Sequence, residues 1–240
     1  MLSFLKKTPT RFVNPLTVDV HSHLLAGIDD GSKSWEESIE VLKVLSGLGY
    51  QKFITTPHVM SDVYRNEPMG IRAKLTELRS AVETAGLSIT IEVAAEYYLD
   101  EVLMKKITYS EEILTFNKTH LLFETNFRNE PLQTKDFIFQ ATLTGYQLIL
   151  AHPERYEYMT LAKAEDLRNR GVLFQINILS IMGYYSRPVQ KMAQQFIDKG
   201  WVELLGSDCH NLMQANFMRE HQNNKYFQKA VQLPLLNNQL

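Results

Sequence analysis

Five of the chain's seven histidines stand in short motifs beside carboxylates. His21-Ser22-His23 is followed by Asp29-Asp30-Gly31, and Thr56-Pro57-His58, Ala151-His152-Pro153-Glu154-Arg155 and Asp208-Cys209-His210 come later. On an extended strand the period of two puts His21 and His23 on one face, where both imidazoles can hold one ion at about 2.1 Å. Asp208 and His210 repeat that spacing with a carboxylate. Taken singly, each motif has a bland reading as a turn, a surface histidine or a salt bridge. Together His21, His23, Asp30, His58, Glu96, Glu124, His152, Asp208 and His210 form the donor set of a polynuclear divalent-metal site. Four carboxylates in one small space repel strongly without cations. Three divalent cations would reverse the sign of that space and favour a phosphate dianion over a neutral substrate. Metal pairs about 3.5–4 Å apart serve phosphoryl transfer, so the expected reaction is hydrolysis of a phosphoester.

For these residues to meet, the chain must bring distant segments to one rim. Seven short apolar or β-branched runs are legible: Leu16–His21, Lys52–Thr56, Ile89–Ala95, His120–Glu124, Gln147–Ala151, Val172–Ile176 and Trp201–Gly206. They begin 25 to 37 residues apart, enough for one strand, one helix and two loops. That alternation is the pattern of βαβ units and a parallel sheet, and seven repeats predict a distorted (β/α)7 barrel. In such barrels the functional groups follow the C-terminal ends of the strands. Six of the seven runs end in a metal-type ligand, and only Val172–Ile176 does not. His120 starts a strand and His221 lies in the tail, so both are read as structural. Ser34-Trp35-Glu36-Glu37 fits a capping box opening a helix whose stripe is Ile39, Leu42, Val44 and Leu45. Further helices are predicted near 70–85, 132–144, 161–170 and 187–199. The tail from Asn211 is predicted as a helix followed by a docked or frayed terminus.

The composition is that of a folded globular chain: 240 residues, 45% hydrophobic, 22% charged and net charge −2. It excludes a disordered or collagen-like protein. A pI near 6.4 and the lack of a basic block argue against nucleic-acid binding. No apolar run is long enough for a secretory signal or a membrane span, so a cytoplasmic location without membrane insertion is expected. One cysteine forms no internal disulfide. No linker composition divides the chain, which reads as an N-terminal extension over residues 1–15 and one barrel domain over residues 16–240.

The order His-x-His, Asp-Asp-Gly, Thr-Pro-His, Glu, Glu, His-Pro-Glu-Arg-Tyr and Ser-Asp-x-His resembles the PHP superfamily, named for polymerase and histidinol phosphatase. More narrowly, Asp19-Val20-His21-Ser22-His23, Asp29-Asp30-Gly31, Glu37-Ser38, His152-Pro153-Glu154-Arg155-Tyr156 and Asp208-Cys209-His210-Asn211 resemble bacterial manganese-dependent protein-tyrosine phosphatases of capsular and exopolysaccharide loci. The resemblance implies three divalent ions, with Mn²⁺ first and Fe, Zn, Mg or Co as alternatives. It assigns His21, His23, Glu96 and Asp208 to one ion and Glu124 and His152 to a second that Glu96 bridges. Asp30, His58 and His210 fall to the third. It also implies a phosphotyrosine-containing protein tail as partner, that of a bacterial tyrosine kinase governing polysaccharide export, and leaves a homo-oligomer open. Arg155 is the expected phosphate clamp, because a guanidinium matches phosphate bidentately. The second arginine that some relatives carry a few residues after Asp-x-His-Asn is missing here, since no basic residue follows Asn211 until Arg219.

Two other phosphatase chemistries fail on spacing. Cysteine-dependent enzymes need Cys-x5-Arg, but Ala215 holds the arginine position after Cys209, and no Gly-x-Ser-x-Gly elbow occurs. The competing readings are a small-molecule phosphatase acting on a substrate such as histidinol phosphate, and a non-catalytic phosphotyrosine-binding module. Tyr64, Arg65, Tyr97, Tyr98, Arg128 and Tyr184 are candidates to line the mouth in either enzyme.

Overall fold

The structure is a computed structural model that describes residues 12–240. The extension read over residues 1–15 therefore falls outside the described residues up to residue 11. Strand β1 (Val18–Asp19), β2 (Lys52–Thr55) and β4 (Thr90–Val93) form a parallel sheet in the order β1-β2-β4. A second parallel sheet runs β3 (His58–Val59), β5 (Glu96–Tyr98), β6 (His120–Glu124), β7 (Gln147–Ala151), β8 (Leu173–Asn177) and β9 (Leu204–Gly206). All its ladders are parallel, and it forms a half-barrel of an α/β fold. The second and third sequence runs hold β2 and β4, and each is followed after a short break by a further strand, β3 or β5. Between β2 and β3 lies Pro57, which has no N–H for the ladder, and Ala94-Ala95 separates β4 from β5. After each break the chain joins the second sheet and carries His58 or Glu96 with it.

Helices α1 (Trp35–Ser46), α2 (Pro68–Thr84), α3 (Glu101–Tyr109), α4 (Thr134–Leu143), α5 (Leu161–Asn169), α6 (Ile178–Met182), α7 (Arg187–Lys199), α8 (Leu212–His221) and α9 (Lys225–Ala230) connect and follow the strands. Ser34 caps α1 as its spacing predicts, accepting from the Glu37 N–H at 3.3 Å, while the Glu37 carboxylate reaches back to the Lys33 N–H at 2.8 Å. Helices α3 and α6 lie outside the predicted helical segments and span only nine and five residues. Among the described residues no helix is long and apolar enough to cross a membrane.

Strand faces alternate as the pleat requires. Leu121, Phe123, Leu148, Leu150, Phe174 and Ile176 pack toward the helices. Leu122, Ile149, Ala151 and Leu204 join Val18, Val20, Ile54 and Ala94 in a smaller apolar cluster on the opposite face. That inner cluster is the floor on which the polar residues of the strand ends stand. Between β1 and β9 a parallel bridge pairs Ser22 with Cys209, and the Asp208 N–H donates to His21 O at 2.8 Å. Farther along, the fully buried Asn237 side chain spans the same two strands. It accepts from Leu205 N–H at 2.9 Å and donates to Leu205 O at 2.7 Å and Val18 O at 3.1 Å. The C-terminal tail is thus docked, not frayed.

Candidate metal centre

The candidate ligands lie on strands β3, β5 and β6 or in the loops that follow β1, β7 and β9. His21 and His23 follow β1, and their imidazole centroids lie 5.4 Å apart. The loop after them folds back so that Asp29 accepts from the His23 ring at Nδ1 (2.9 Å), from Gly31 N–H (2.9 Å) and from His58 N–H (3.1 Å). Asp29 therefore aims the Nε2 of His23 inward and ties it to β3. Only glycine fits at position 31, where a Cβ would come within 2.2 Å of His23 O. Asp208 and His152 follow β9 and β7 with φ of 50° and 34°, a left-handed backbone that costs non-glycine residues energy and recurs at functional sites.

The nine predicted ligands meet. From His21 Nε2 it is 3.2 Å to Glu96 Oε2, 3.5 Å to Asp208 Oδ1 and 3.3 Å to His23 Nε2. His23 Nε2 lies 3.4 Å from Asp208 Oδ1. The other Glu96 oxygen is 2.9 Å from His152 Nε2, which is 3.9 Å from Glu124 Oε2. His58 Nε2 and His210 Nε2 converge on Asp30 Oδ1 at 3.4 and 3.5 Å. Donor atoms of His23, Asp30, His58 and His210 form one group within 4.8 Å, as do those of His21, His23 and Glu96, and those of His58, Glu96 and Glu124. The predicted trio of Asp30, His58 and His210 is thus joined by His23. His58 also stands beside Glu96 and Glu124, between groups that the resemblance separates. Apart from half-exposed Asp30 and partly buried His210, these side chains are buried.

Their electrostatics call for cations. Burial opposes a charge on His21, His23 and His58, yet the carboxylates around them outweigh it, and Glu96 and Glu124 help push His58 up to about 9. Burial likewise resists ionisation of Glu96 and Asp208, but the imidazoles hold both carboxyls well below the usual range. Protons on imidazoles are here doing what metal ions do better. His58 Nδ1 and Glu124 Oε1 face each other at 3.0 Å, both buried and neither in a hydrogen bond. Native interiors rarely leave such atoms unpaired, and a shared ligand resolves the pair. Mixed imidazole and carboxylate donors fit a divalent first-row ion.

A cavity of about 400 Å³ opens over the cluster, lined by Asp30, His58, Glu124, His152, Asp208 and His210 and by Met60, Tyr64, Phe127, Arg155, Tyr185, Asn211 and Gln214. Arg155 donates from Nη1 to Asp208 Oδ2 at 2.9 Å. Its guanidinium carbon lies 4.8 Å from the Phe127 ring centroid and 4.5 Å from that of Tyr185. Among the described residues its Nε and Nη2 have no protein acceptor, so they are available to an anion. Of the proposed mouth residues only Tyr64 lines this cavity, stacked on His58 at 5.6 Å. Tyr97 is buried in the core, where its hydroxyl accepts from Leu114 N–H. Tyr98 lines a neighbouring groove, Arg65 turns back to Ser61 O, Arg128 is exposed and Tyr184 packs on Phe217. Cys209 is buried, and burial pushes its thiol up, which leaves it no nucleophilic character. His120 and His221 bond Thr119 and Phe217 O, away from the cluster. Phe127, Tyr185, Gln175 and Asn177 carried no sequence signal, because an aromatic or an amide near a strand end is ordinary.

Three comparisons bear on this arrangement. The profile of the family described as "Capsular polysaccharide synthesis, CpsB/CapC" matches residues 17–231. The chain is 30% identical to CapC of Staphylococcus aureus over 204 residues, covering 84% of this chain and 80% of that protein. It is 25% identical to tyrosine-protein phosphatase YwqE of Bacillus subtilis over 207 residues, 83% and 80% of the two chains. A solved structure from the work on YwqE of Bacillus subtilis and CpsB of Streptococcus pneumoniae, described as metal-dependent tyrosine phosphatases, superposes with a TM-score of 0.78. It has 23% identity and covers 90% of this chain and 85% of the other, a likeness of fold.

Proposed function

Because the chain belongs to the CpsB/CapC family of capsular polysaccharide synthesis, we propose that it is a metal-dependent protein-tyrosine phosphatase whose nine-residue cluster takes three divalent ions, Mn²⁺ first among them. The observation that carries this reading is the convergence of nine imidazoles and carboxylates under one cavity with the free edge of Arg155 at its side. His21, His23, Glu96 and Asp208 would hold one ion, Glu96, Glu124 and His152 a second, and Asp30, His58 and His210 a third. The ions, when bound, supply Lewis-acid activation of the phosphate and of an attacking water.

The chain's own residues do the rest. Arg155 donates from Nε and Nη2 to two phosphate oxygens, while Asp208 anchors its third nitrogen and so fixes the direction of approach. His58 and His210 are assigned to catalysis because they border the cavity and hold the outermost ligand group with Asp30. Tyr64 and Phe127 line the entrance and offer aromatic faces and edges to a phenyl ring. Hydrolysis proceeds by in-line attack without a covalent enzyme intermediate. We read the two sheets and the β1–β9 contacts as one distorted (β/α)7 barrel over residues 16–240. The partner we assign is the phosphotyrosine tail of a bacterial tyrosine kinase of polysaccharide export, met in the cytoplasm.

A kinetic panel on the Mn²⁺-loaded protein tests the reading against a small-molecule phosphatase and a binding module. Phosphotyrosyl peptides should be turned over with the highest kcat/KM, histidinol phosphate poorly, and chelator should stop both. Preference for histidinol phosphate would select the small-molecule enzyme, and tight peptide binding without turnover would select the module.

A further inference from the structure

Strand β8 brings no ligand to the cluster, yet its inner face carries two fully buried amides two residues apart, Gln175 and Asn177. Their hydrogen bonds link two residues of the site, Asp208 and His21. Asn177 Nδ2 lies 2.5 Å from Asp208 Oδ2, Gln175 Nε2 lies 2.9 Å from Asn177 Oδ1, and Gln175 Oε1 lies 2.7 Å from His21 Nδ1.

The direction of this chain follows from its last member. Asp208 Oδ2 accepts from Arg155 Nη1 at 2.9 Å, and a guanidinium only donates, so this oxygen is an acceptor and Asn177 must present its amide N–H. The Asn177 oxygen then faces Gln175, which must present its own N–H. Its oxygen is left for His21, so His21 donates from Nδ1 and turns Nε2 toward Glu96 and Asp208, the nitrogen that an ion would take in place of a proton. Space is kept for this arrangement by Gly206, where a Cβ would come within 2.5 Å of His21 Cβ and 2.7 Å of Gln175 Nε2. The Asn177 backbone N–H is itself fixed by Glu154 Oε1 at 3.0 Å.

We propose that Gln175 and Asn177 are positioning residues: a one-way hydrogen-bond relay that fixes the metal-binding tautomer of His21 and turns Asp208 so that Oδ1 serves the cations while Oδ2 holds Arg155. The proposal rests on the metal-dependent reading of this site. It makes the two amides act on different quantities. Gln175 governs a ligand and hence ion affinity, whereas Asn177 governs the Asp208–Arg155 pair and hence phosphate binding.

The test uses the full chain loaded with diamagnetic Zn²⁺. In ¹⁵N NMR the wild-type His21 ring should show a protonated Nδ1 and a metal-bound or bare Nε2, and the opposite tautomer would overturn the relay. Gln175→Met, which keeps bulk and removes the acceptor, should weaken Zn²⁺ binding by calorimetry about 10- to 100-fold, the usual cost of losing such a partner. Gln175→Glu, which restores an acceptor for His21, should recover most of that affinity. Asn177→Leu, which unties Asp208 but leaves the Gln175 acceptor beside His21, should weaken Zn²⁺ binding less than Gln175→Met does and raise the inhibition constant of inorganic phosphate at least tenfold. Wild-type affinity in Gln175→Met, or equal losses of metal in Gln175→Met and Gln175→Glu, would refute the assignment. Failure of the wild-type protein to bind any divalent ion would instead refute the metal-dependent reading. Should Gln175→Met not fold, the wild-type tautomer measurement still decides.

Discussion

Replacing Arg155 with alanine separates phosphate recognition from metal binding, because the guanidinium touches the cluster through one nitrogen only. Nη1 is spent on Asp208 Oδ2 at 2.9 Å, while Nε and Nη2 have no acceptor among the described residues. Each charge-assisted hydrogen bond to a phosphate oxygen contributes about 1.5–3 kcal/mol. Two of them give about 3–6 kcal/mol, which at about 1.4 kcal/mol per decade lowers kcat/KM by about 10²- to 10⁴-fold. Arg155→Lys keeps the charge but not the planar fork, so it should fall between the two. Removing the cation leaves Asp208 more negative toward the ions, so metal content should hold or rise. The assay is steady-state hydrolysis of an aryl phosphate, with inorganic phosphate as inhibitor and elemental analysis of each variant. An Arg155→Ala enzyme within a few-fold of wild type, or one that has lost its metals, would refute this division of labour.

Three other outcomes follow from particular contacts. Gly206→Ala drives a methyl group against His21 Cβ and the Gln175 amide, so urea denaturation should register about 1–3 kcal/mol of destabilisation together with weaker ion binding; unchanged values for both would show that β9 can shift freely. Asn237→Ala strands Leu205 N–H and Val18 O between β1 and β9 and should cost about 1–3 kcal/mol in thermal or urea unfolding with kcat/KM unchanged, so a loss of activity without a loss of stability would contradict it. In chelated protein, His58 has its pKa raised to about 9 from an ordinary 6.5, so its contribution to stability is fully present below about pH 6.5 and disappears as pH climbs through 9. The melting temperature of the chelated chain should accordingly fall across that window while the Mn²⁺-loaded chain stays level, and a chelated curve that rises from pH 7 to 9 would exclude the carboxylate–imidazole coupling.

The ligand set was legible because metal chemistry restricts residue type and because strands impose a period of two. His-x-His and Asp-x-His therefore showed on the bare sequence, and strand ends could be counted from apolar runs such as His120–Glu124 and Gln147–Ala151, which agree with β6 and β7. Where runs were bounded by polar residues the limits slipped. Leu16–His21 contains only the two-residue β1, and Ile89–Ala95 holds β4 but stops short of β5, since local propensity does not say which neighbour a strand will find. The aromatic pair around Arg155 was out of reach for a different reason. Phe127 and Tyr185 come from loops 58 residues apart and acquire their role only by meeting the guanidinium. Tyr97 shows the converse: one residue of backbone phase separates a mouth tyrosine from a core one, and the pleat that turns Glu96 inward turns Tyr97 toward the helices.

Crystals of the Mn²⁺-loaded protein, measured at the manganese absorption edge, reach the central claim with the fewest intermediate assumptions. Three anomalous peaks are expected inside the ring of His21, His23, Asp30, His58, Glu96, Glu124, His152, Asp208 and His210, with Arg155 beside them. Density free of such peaks at that ring, or peaks confined to the surface, would contradict it.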